Sequence, residues 1–86
     1  MSWIDDLPTD RHDKIMAALD QRGRKHLRYA AGDRDFAAWL LVADTAAYRY
    51  RGVSLFDLAD YRWRDAYEDG AGPAETLRDA LQAEGW

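Results

Sequence analysis

The chain has 86 residues, a formal net charge of −4 and no cysteine. This length allows one domain at most, and the absence of cysteine excludes disulfides and thiolate metal sites as reinforcement. No stretch approaches the roughly 20 apolar residues that a bilayer-spanning helix needs, and the acidic start lacks a signal-peptide pattern. We therefore expect a cytoplasmic protein with one domain, residues 1–86, and no contact with a membrane.

The first third of the chain predicts helix. Thr9 is a candidate N-cap, because a threonine hydroxyl can accept a hydrogen bond from an amide of the first helical turn. The apolar residues between positions 15 and 30 then recur close to one helical stripe. Gly23 interrupts this stripe, so the helix either continues through it or bends there. Gly32 ends the helix in either case.

The central helix is predicted to begin at Asp33 or Asp35 and to run to about Arg51, just before Gly52. It is apolar over most of its circumference, and such a helix is usually packed on several sides. We expect it to be the axis of the fold. The residues expected to lie buried near its centre are Phe36, Leu40, Ala43 and Ala47.

Few side chains suggest catalytic or metal chemistry. Asp44 is the only charge between positions 36 and 48, and we expect it to point outward, because buried carboxylates are rare; a buried functional carboxylate is the alternative. His12, with Asp10 and Asp13, is the best metal or acid–base candidate, but such residues are common near helix starts. His26 has no companion ligand at helical spacing. We expect no catalytic residue, no bound metal and no cofactor.

The last third predicts a helical hairpin. Ser54 and Asp57 form a candidate capping box, in which the serine accepts from the amide of Asp57 and a third helix begins. Residues 70–73 interrupt this helix, and Pro73 suits the first position of a fourth, which runs to position 84. The predicted fold is all-α, a compact bundle of about four helices that ends in this hairpin.

The hairpin carries a resemblance to a known group of proteins. Residues 55–61, 63–70 and 73–75 read LFDLADY, WRDAYEDG and PAE. This segment, about residues 54–84, resembles the C-terminal hairpin of small orphan accessory proteins of actinobacterial phages, of the mycobacteriophage kind. Ten Arg against two Lys, and thirteen Asp against three Glu, point to a GC-rich coding source. The resemblance implies a small accessory protein that binds a host component, and it assigns no catalytic residue.

Two short runs alternate aromatic residues with arginine, and these residue types are enriched at the hot spots of protein interfaces. The candidate protein-binding residues are Tyr48, Arg49, Tyr50, Arg51, Tyr61, Arg62, Trp63 and Arg64. Only Gly52 and Val53 separate the two predicted helices, so we expect both runs to flank one groove or ridge. The alternative is that Tyr50 and Trp63 belong to the core, with arginines covering them.

The sequence therefore favours a non-enzymatic accessory protein that binds another protein, with a host protein that it inhibits or modulates as the candidate partner. One alternative is a nucleic-acid-associated regulator, which would use the basic patch Arg22, Arg24, Lys25 and Arg28. Residues 65–86 carry six acids against one base, and this acidic end disfavours nucleic acid. Another alternative is a self-associating structural protein, a homodimer formed through exposed Trp and Tyr side chains.

Overall fold

Five α-helices and two 3₁₀ turns account for most of the residues that the structure describes. The structure, a computed structural model, describes residues 3–57 and 61–83, with only the backbone of Asp5. The helices are α1 (Thr9–Arg22), α2 (Arg24–Tyr29), α3 (Arg34–Arg51), α4 (Trp63–Glu68) and α5 (Pro73–Ala83). The 3₁₀ turns are Trp3–Asp6 and Leu55–Asp57. No described residue lies in a strand, so the all-α prediction is confirmed, with about five helices instead of four.

Helix α3 is the axis of the fold, as the sequence predicts. The carboxylate of Asp33 caps its start by accepting a hydrogen bond from the amide of Phe36 at 3.2 Å. Its end is set by Gly52, whose φ of 68° is a left-handed conformation that glycine adopts without strain. The helix contacts α1, α2, α4, α5 and both 3₁₀ turns. The four predicted core residues, Phe36, Leu40, Ala43 and Ala47, are all buried.

Trp39 anchors the C-terminal helices to α3. Its side chain is fully buried, and its indole N–H donates to the backbone carbonyl of Ala71 at 2.9 Å, in the connection between α4 and α5. Its ring lies 6.4 Å from that of Trp63 and 6.3 Å from that of Tyr67, both in α4. Trp39 therefore joins the hairpin to the core through apolar contact and one hydrogen bond. The Cα radius of gyration is 12.1 Å, close to the value of about 12 Å expected for a compact chain of this length.

The start of α1 and its junction with α2 differ from expectation. Thr9 is already the first residue of α1, Pro8 occupies the N-cap position, and no side chain caps this end, so the Thr9 prediction is wrong. Gly23 separates α1 from α2 and donates its amide to the carbonyl of Leu19 at 2.8 Å. A Cβ at position 23 would lie 2.5 Å from that carbonyl oxygen. Glycine is therefore required at position 23, where the backbone passes close to the carbonyl group of Leu19.

The predicted helix from Ser54 is also wrong. Residues Leu55–Asp57 form only a 3₁₀ turn, and α4 begins at Trp63, while positions 58–60 of the predicted helix lie outside the described residues. The hydroxyl of Ser54 accepts from the amide of Phe56 at 3.2 Å, in place of the predicted amide of Asp57. The second half of the hairpin is as predicted, since Pro73 opens α5, which packs against both α3 and α4. The predicted end of that helix, position 84, lies outside the described residues.

Candidate functional site

A buried polar cluster joins three parts of the fold: His26 in α2, Asp44 in the middle of α3, and Ser54 before the second 3₁₀ turn. The Nε2 atom of His26 lies 2.9 Å from Oδ2 of Asp44. The Oδ1 atom of Asp44 accepts from the hydroxyl of Ser54 at 3.0 Å and from the amide of Leu55 at 2.7 Å. Asp44 is only 8% exposed, so the expectation that it points outward is wrong. Three hydrogen bonds, from residues far from Asp44 in the chain, offset the free-energy cost of burying its carboxylate.

The cluster favours a charged Asp44. Burial by itself raises the pKa of this carboxyl, but the hydrogen bonds from His26, Leu55 and Ser54 outweigh that effect and hold the pKa below its ordinary value. The hydrogen-bond geometry assigns a proton to Nε2 of His26. The Nδ1 atom of this ring is buried and has no hydrogen-bond partner among the described residues, while the Phe56 ring packs 5.2 Å away.

The order of contacts in this cluster differs from that of a hydrolytic triad. In a triad the imidazole lies between serine and carboxylate and takes the serine proton. Here the carboxylate of Asp44 lies between the other two side chains, and both of them bind it. The arrangement fastens the segment 54–57 to α2 and α3.

The predicted His12 position shows no ligand cluster. Its Nδ1 atom lies 3.3 Å from the carboxylate of the neighbouring Asp13, at the exposed start of α1. Within the described ranges, no group of three or more His, Asp or Glu side chains could hold a metal ion. The predicted absence of catalysis, metal and cofactor stays a prediction. Of the helices that the structure describes, none is long and apolar enough to cross a bilayer.

A groove of about 400 Å³ runs between α1 and α3, and we call it the α1–α3 groove. Its apolar lining is provided by Ile15, Ala18, Leu41, Val42, Ala46 and Ala74. Its cationic lining is provided by four exposed side chains, Arg11, Lys14, Arg22 and Arg49. Thr45 and Tyr50 complete it, and no acidic residue of the described part of the chain contributes. The groove therefore combines an apolar floor with a basic rim.

The basic rim follows from helical spacing. Arg11, Lys14, Ala18 and Arg22 are three or four positions apart, so they lie along one face of α1. Among the residues that the structure describes, none of the four rim cations has an ion-pair partner within 4 Å. By contrast, the nearby Arg34 pairs with Asp20 at 3.0 Å. The rim charges are therefore available to an incoming molecule.

The first predicted run, 48–51, lies on the surface. Tyr48 is 56% exposed and Tyr50 is 52% exposed, so the alternative that places Tyr50 in the core is wrong. Arg49 and Tyr50 line the α1–α3 groove. Tyr50 and Arg51 also line a smaller depression against Leu81 of α5. Tyr50 therefore stands between two concave surfaces.

The second predicted run, 61–64, does not line the α1–α3 groove, and part of it is buried in the core. Trp63 is 4% exposed, and its ring centre lies 4.9 Å from that of the half-buried Tyr61, so for Trp63 the core alternative is confirmed. Tyr61 and Arg62 line a separate depression between α4 and α5. Of the three depressions, none is lined by both runs, so the prediction of a shared groove is wrong, while the alternative of a shared ridge stays a prediction. The role of Tyr61, Arg62, Trp63 and Arg64 in binding stays a prediction.

Arg64 has partners within the fold. Its guanidinium lies 4.9 Å from the centre of the Phe36 ring, 3.1 Å from the carboxylate of Asp33 and 3.2 Å from that of Glu68. The hydrogen bond to Glu68 and the charge of Asp33 raise the pKa of Arg64, although partial desolvation opposes them. The contacts of Arg64 with Asp33 and Phe36 hold α4 against the start of α3.

The predicted basic patch is exposed. Arg22 belongs to the groove rim, whereas Arg24, Lys25 and Arg28 project from α2. The Nζ atom of Lys25 lies 5.1 Å from the centre of the Phe56 ring.

Sequence reasoning missed two cations of the rim, Arg11 and Lys14. Their signal was the spacing of Arg11, Lys14 and Arg22 on one face of α1, together with the small Ala18 between them.

No protein-family model, curated protein or solved structure matches the chain. The resemblance to phage accessory proteins is therefore still a prediction.

Proposed function

We propose that this protein acts by binding another protein, and that the α1–α3 groove is the contact surface. The observation that supports this most is the combination of an apolar floor with four exposed cations that form no ion pair with any residue in the described ranges. Protein interfaces typically place an apolar centre inside a polar rim. Exposed apolar concavities on a small protein commonly mark interaction sites.

Tyr50 and Arg49 are the residues in which this proposal and the sequence-based prediction coincide. Both belong to the residue types that contribute most binding energy at protein interfaces. Tyr50 is half exposed and lines the groove, so a partner seated there would cover its ring. Its rigid, amphipathic side chain would lose little conformational entropy on binding.

We propose a binding role in preference to catalysis, because the histidine and carboxylate that approach each other within the core serve to hold segment 54–57 in place. The proposed setting is the cytoplasm. On the resemblance to phage proteins, the proposed partner is a host protein whose activity is inhibited or modulated.

A matched pair of tyrosine variants tests the contact surface. Tagged wild-type protein, Tyr50→Ala and Tyr48→Ala are used to capture proteins from bacterial lysate, and the captured proteins are quantified by mass spectrometry. Tyr48 is equally exposed and lines none of the three depressions. We expect Tyr50→Ala to lose a protein that Tyr48→Ala retains, by about tenfold or more for a hot-spot residue. Equal capture by both variants contradicts the proposal.

A second candidate function, nucleic-acid binding, is favoured by the exposed Arg24, Lys25 and Arg28 of α2. Phosphate contacts give an affinity that falls steeply with salt. Replacement of these three residues by glutamine would then abolish binding to a DNA duplex, while the Tyr50→Ala variant would bind it normally.

A further inference from the structure

We propose that the α1–α3 groove receives an acidic amphipathic helix of about three turns from the partner protein. The inference rests on the proposed function and specifies the chemistry of the partner. It depends on three properties of the groove: the sign of its rim, the length of its basic face and the apolar character of its floor.

The rim selects negative charge. Arg11, Lys14 and Arg22 stand on the α1 side and Arg49 on the α3 side, and none of the described residues that line the groove is acidic. None of the four has an ion-pair partner within 4 Å in the part of the chain that the structure describes. An occupant with Asp or Glu on both flanks of an apolar stripe would meet cations on both sides. Charge complementarity of this kind sets partner choice and accelerates association.

The length of the groove fits a short helix. The basic face of α1 extends from Arg11 to Arg22, which is about 16 Å at 1.5 Å per residue. A helix of the same length has about 11 residues, or three turns. Docking of a helix by its apolar face into a groove between two helices is a recurrent mode of peptide recognition.

The floor distinguishes this occupant from two others. Ile15, Leu41 and Val42 offer an apolar surface that a phosphate backbone cannot cover. Helix α5 of a second copy of this chain is also a poor occupant. The acidic helix α5 already buries its apolar residues, Leu77, Ala80 and Leu81. It therefore has no apolar stripe to insert.

Defined peptides test the inference. Three synthetic amphipathic helices share one apolar stripe of Leu and carry Glu, Gln or Lys at every flanking position. Their binding to the wild-type protein is measured by fluorescence anisotropy at low and at high salt. We expect the Glu helix to bind about tenfold more tightly than the Gln helix at low salt, with the difference reduced at high salt. The Lys helix should bind most weakly.

Charge-reversal variants locate the binding. Lys14→Glu with Arg49→Glu should abolish the preference for the Glu helix. The control, Arg24→Glu with Arg28→Glu, changes the net charge equally on α2, outside the groove, and should keep most of the preference. Circular dichroism confirms that both variants are folded. If the control loses the preference as fully as the groove variant, the inference is overturned.

Other outcomes separate the inference from the proposed function. Equal binding of the Glu and Gln helices overturns the acidic partner and leaves the groove as a protein-binding site. If no peptide binds, while Tyr50→Ala still loses a captured lysate protein, the inference fails and the proposed function stands. A DNA duplex that binds the wild type and is lost in Lys14→Glu with Arg49→Glu would assign the rim to nucleic acid and overturn the inference.

Discussion

Nε2 of His26 and Oδ2 of Asp44 lie 2.9 Å apart in the core, although the two residues are separated by 18 positions in the chain. The contact joins α2 to α3, and the same carboxylate also binds Ser54 and the amide of Leu55. A buried carboxylate with several donors is stabilising only as long as all of them remain paired. The stability of this small protein should therefore be sensitive to changes at Asp44.

We expect Asp44→Ala to lower the free energy of unfolding by about 3–5 kcal/mol, because it leaves the donors of His26, Ser54 and Leu55 buried without an acceptor. Urea denaturation followed by circular dichroism measures the loss. Asp57→Ala is the control, since Asp57 is exposed, and it should change stability by less than about 0.5 kcal/mol. A loss below about 1 kcal/mol for Asp44→Ala would mean that the cluster contributes little to stability.

The same carboxylate predicts the direction of a pH dependence. The pKa of folded Asp44 lies below its ordinary value of 3.8, so the unfolded state binds a proton first as the pH falls. The contribution of the Asp44 carboxylate to the free energy of unfolding is complete above about pH 5 and is lost as the pH falls through the pKa of the folded state. The stability difference between wild type and Asp44→Asn should therefore be constant from about pH 6 to about pH 5 and narrow from there to about pH 3. Urea denaturation across this range measures it, and a constant or widening difference would contradict the assignment.

The central helix could be predicted from the sequence because its signals are local. The Asp33 cap, the apolar run and the terminal Gly52 lie within one contiguous segment, and the structure confirms them. The helix predicted from Ser54 failed for the opposite reason. The Ser54 hydroxyl and the Leu55 amide bind a carboxylate 10 and 11 positions away. A capping-box pattern contains no information on such a distant acceptor.

The α1–α3 groove likewise combines residues that the sequence indicates with residues whose role depends on how two helices pack. The alternation of tyrosine and arginine in residues 48–51 makes Arg49 and Tyr50 candidates, and both line the groove. Arg11 and Lys14 were not candidates, because a basic face on a helix usually meets only solvent. That this face lies beside Leu41 and Val42 depends on how α1 packs on α3. Helical periodicity places residues on one face but does not show which part of that face a neighbour leaves uncovered.

Gly23→Ala should destabilise the protein by about 1–3 kcal/mol, since the new methyl group would lie 2.5 Å from the carbonyl oxygen of Leu19 and also meet its side chain. Helix propensity alone predicts the opposite sign for this change. Gly72→Ala is the matched control, because its Cβ would approach only Glu75, at 4.0 Å, and it should be neutral or stabilising by up to about 1 kcal/mol. Thermal and urea denaturation of the two variants compare them. Equal stability of the pair would refute the close approach at Gly23.

Trp39→Phe should cost about 1–3 kcal/mol, because it removes the indole donor from the carbonyl of Ala71 and leaves space in the core. Amide hydrogen exchange should become faster in the connection between α4 and α5, where that carbonyl lies. Unchanged exchange there, despite a measured loss of stability, would show that Trp39 supports the core without anchoring this connection.

Hydrogen–deuterium exchange of the protein, alone and with the captured partner, tests the central claim that the α1–α3 groove is the binding surface. Binding should slow exchange in α1 and in the second half of α3, the segments that provide every lining residue of the groove except Ala74 of α5. Exchange in α4, which lines a different depression, should be unchanged. Protection confined to α2, or to α4 and the residues just before it, would place the interface on the basic patch or on the second aromatic run and contradict the account.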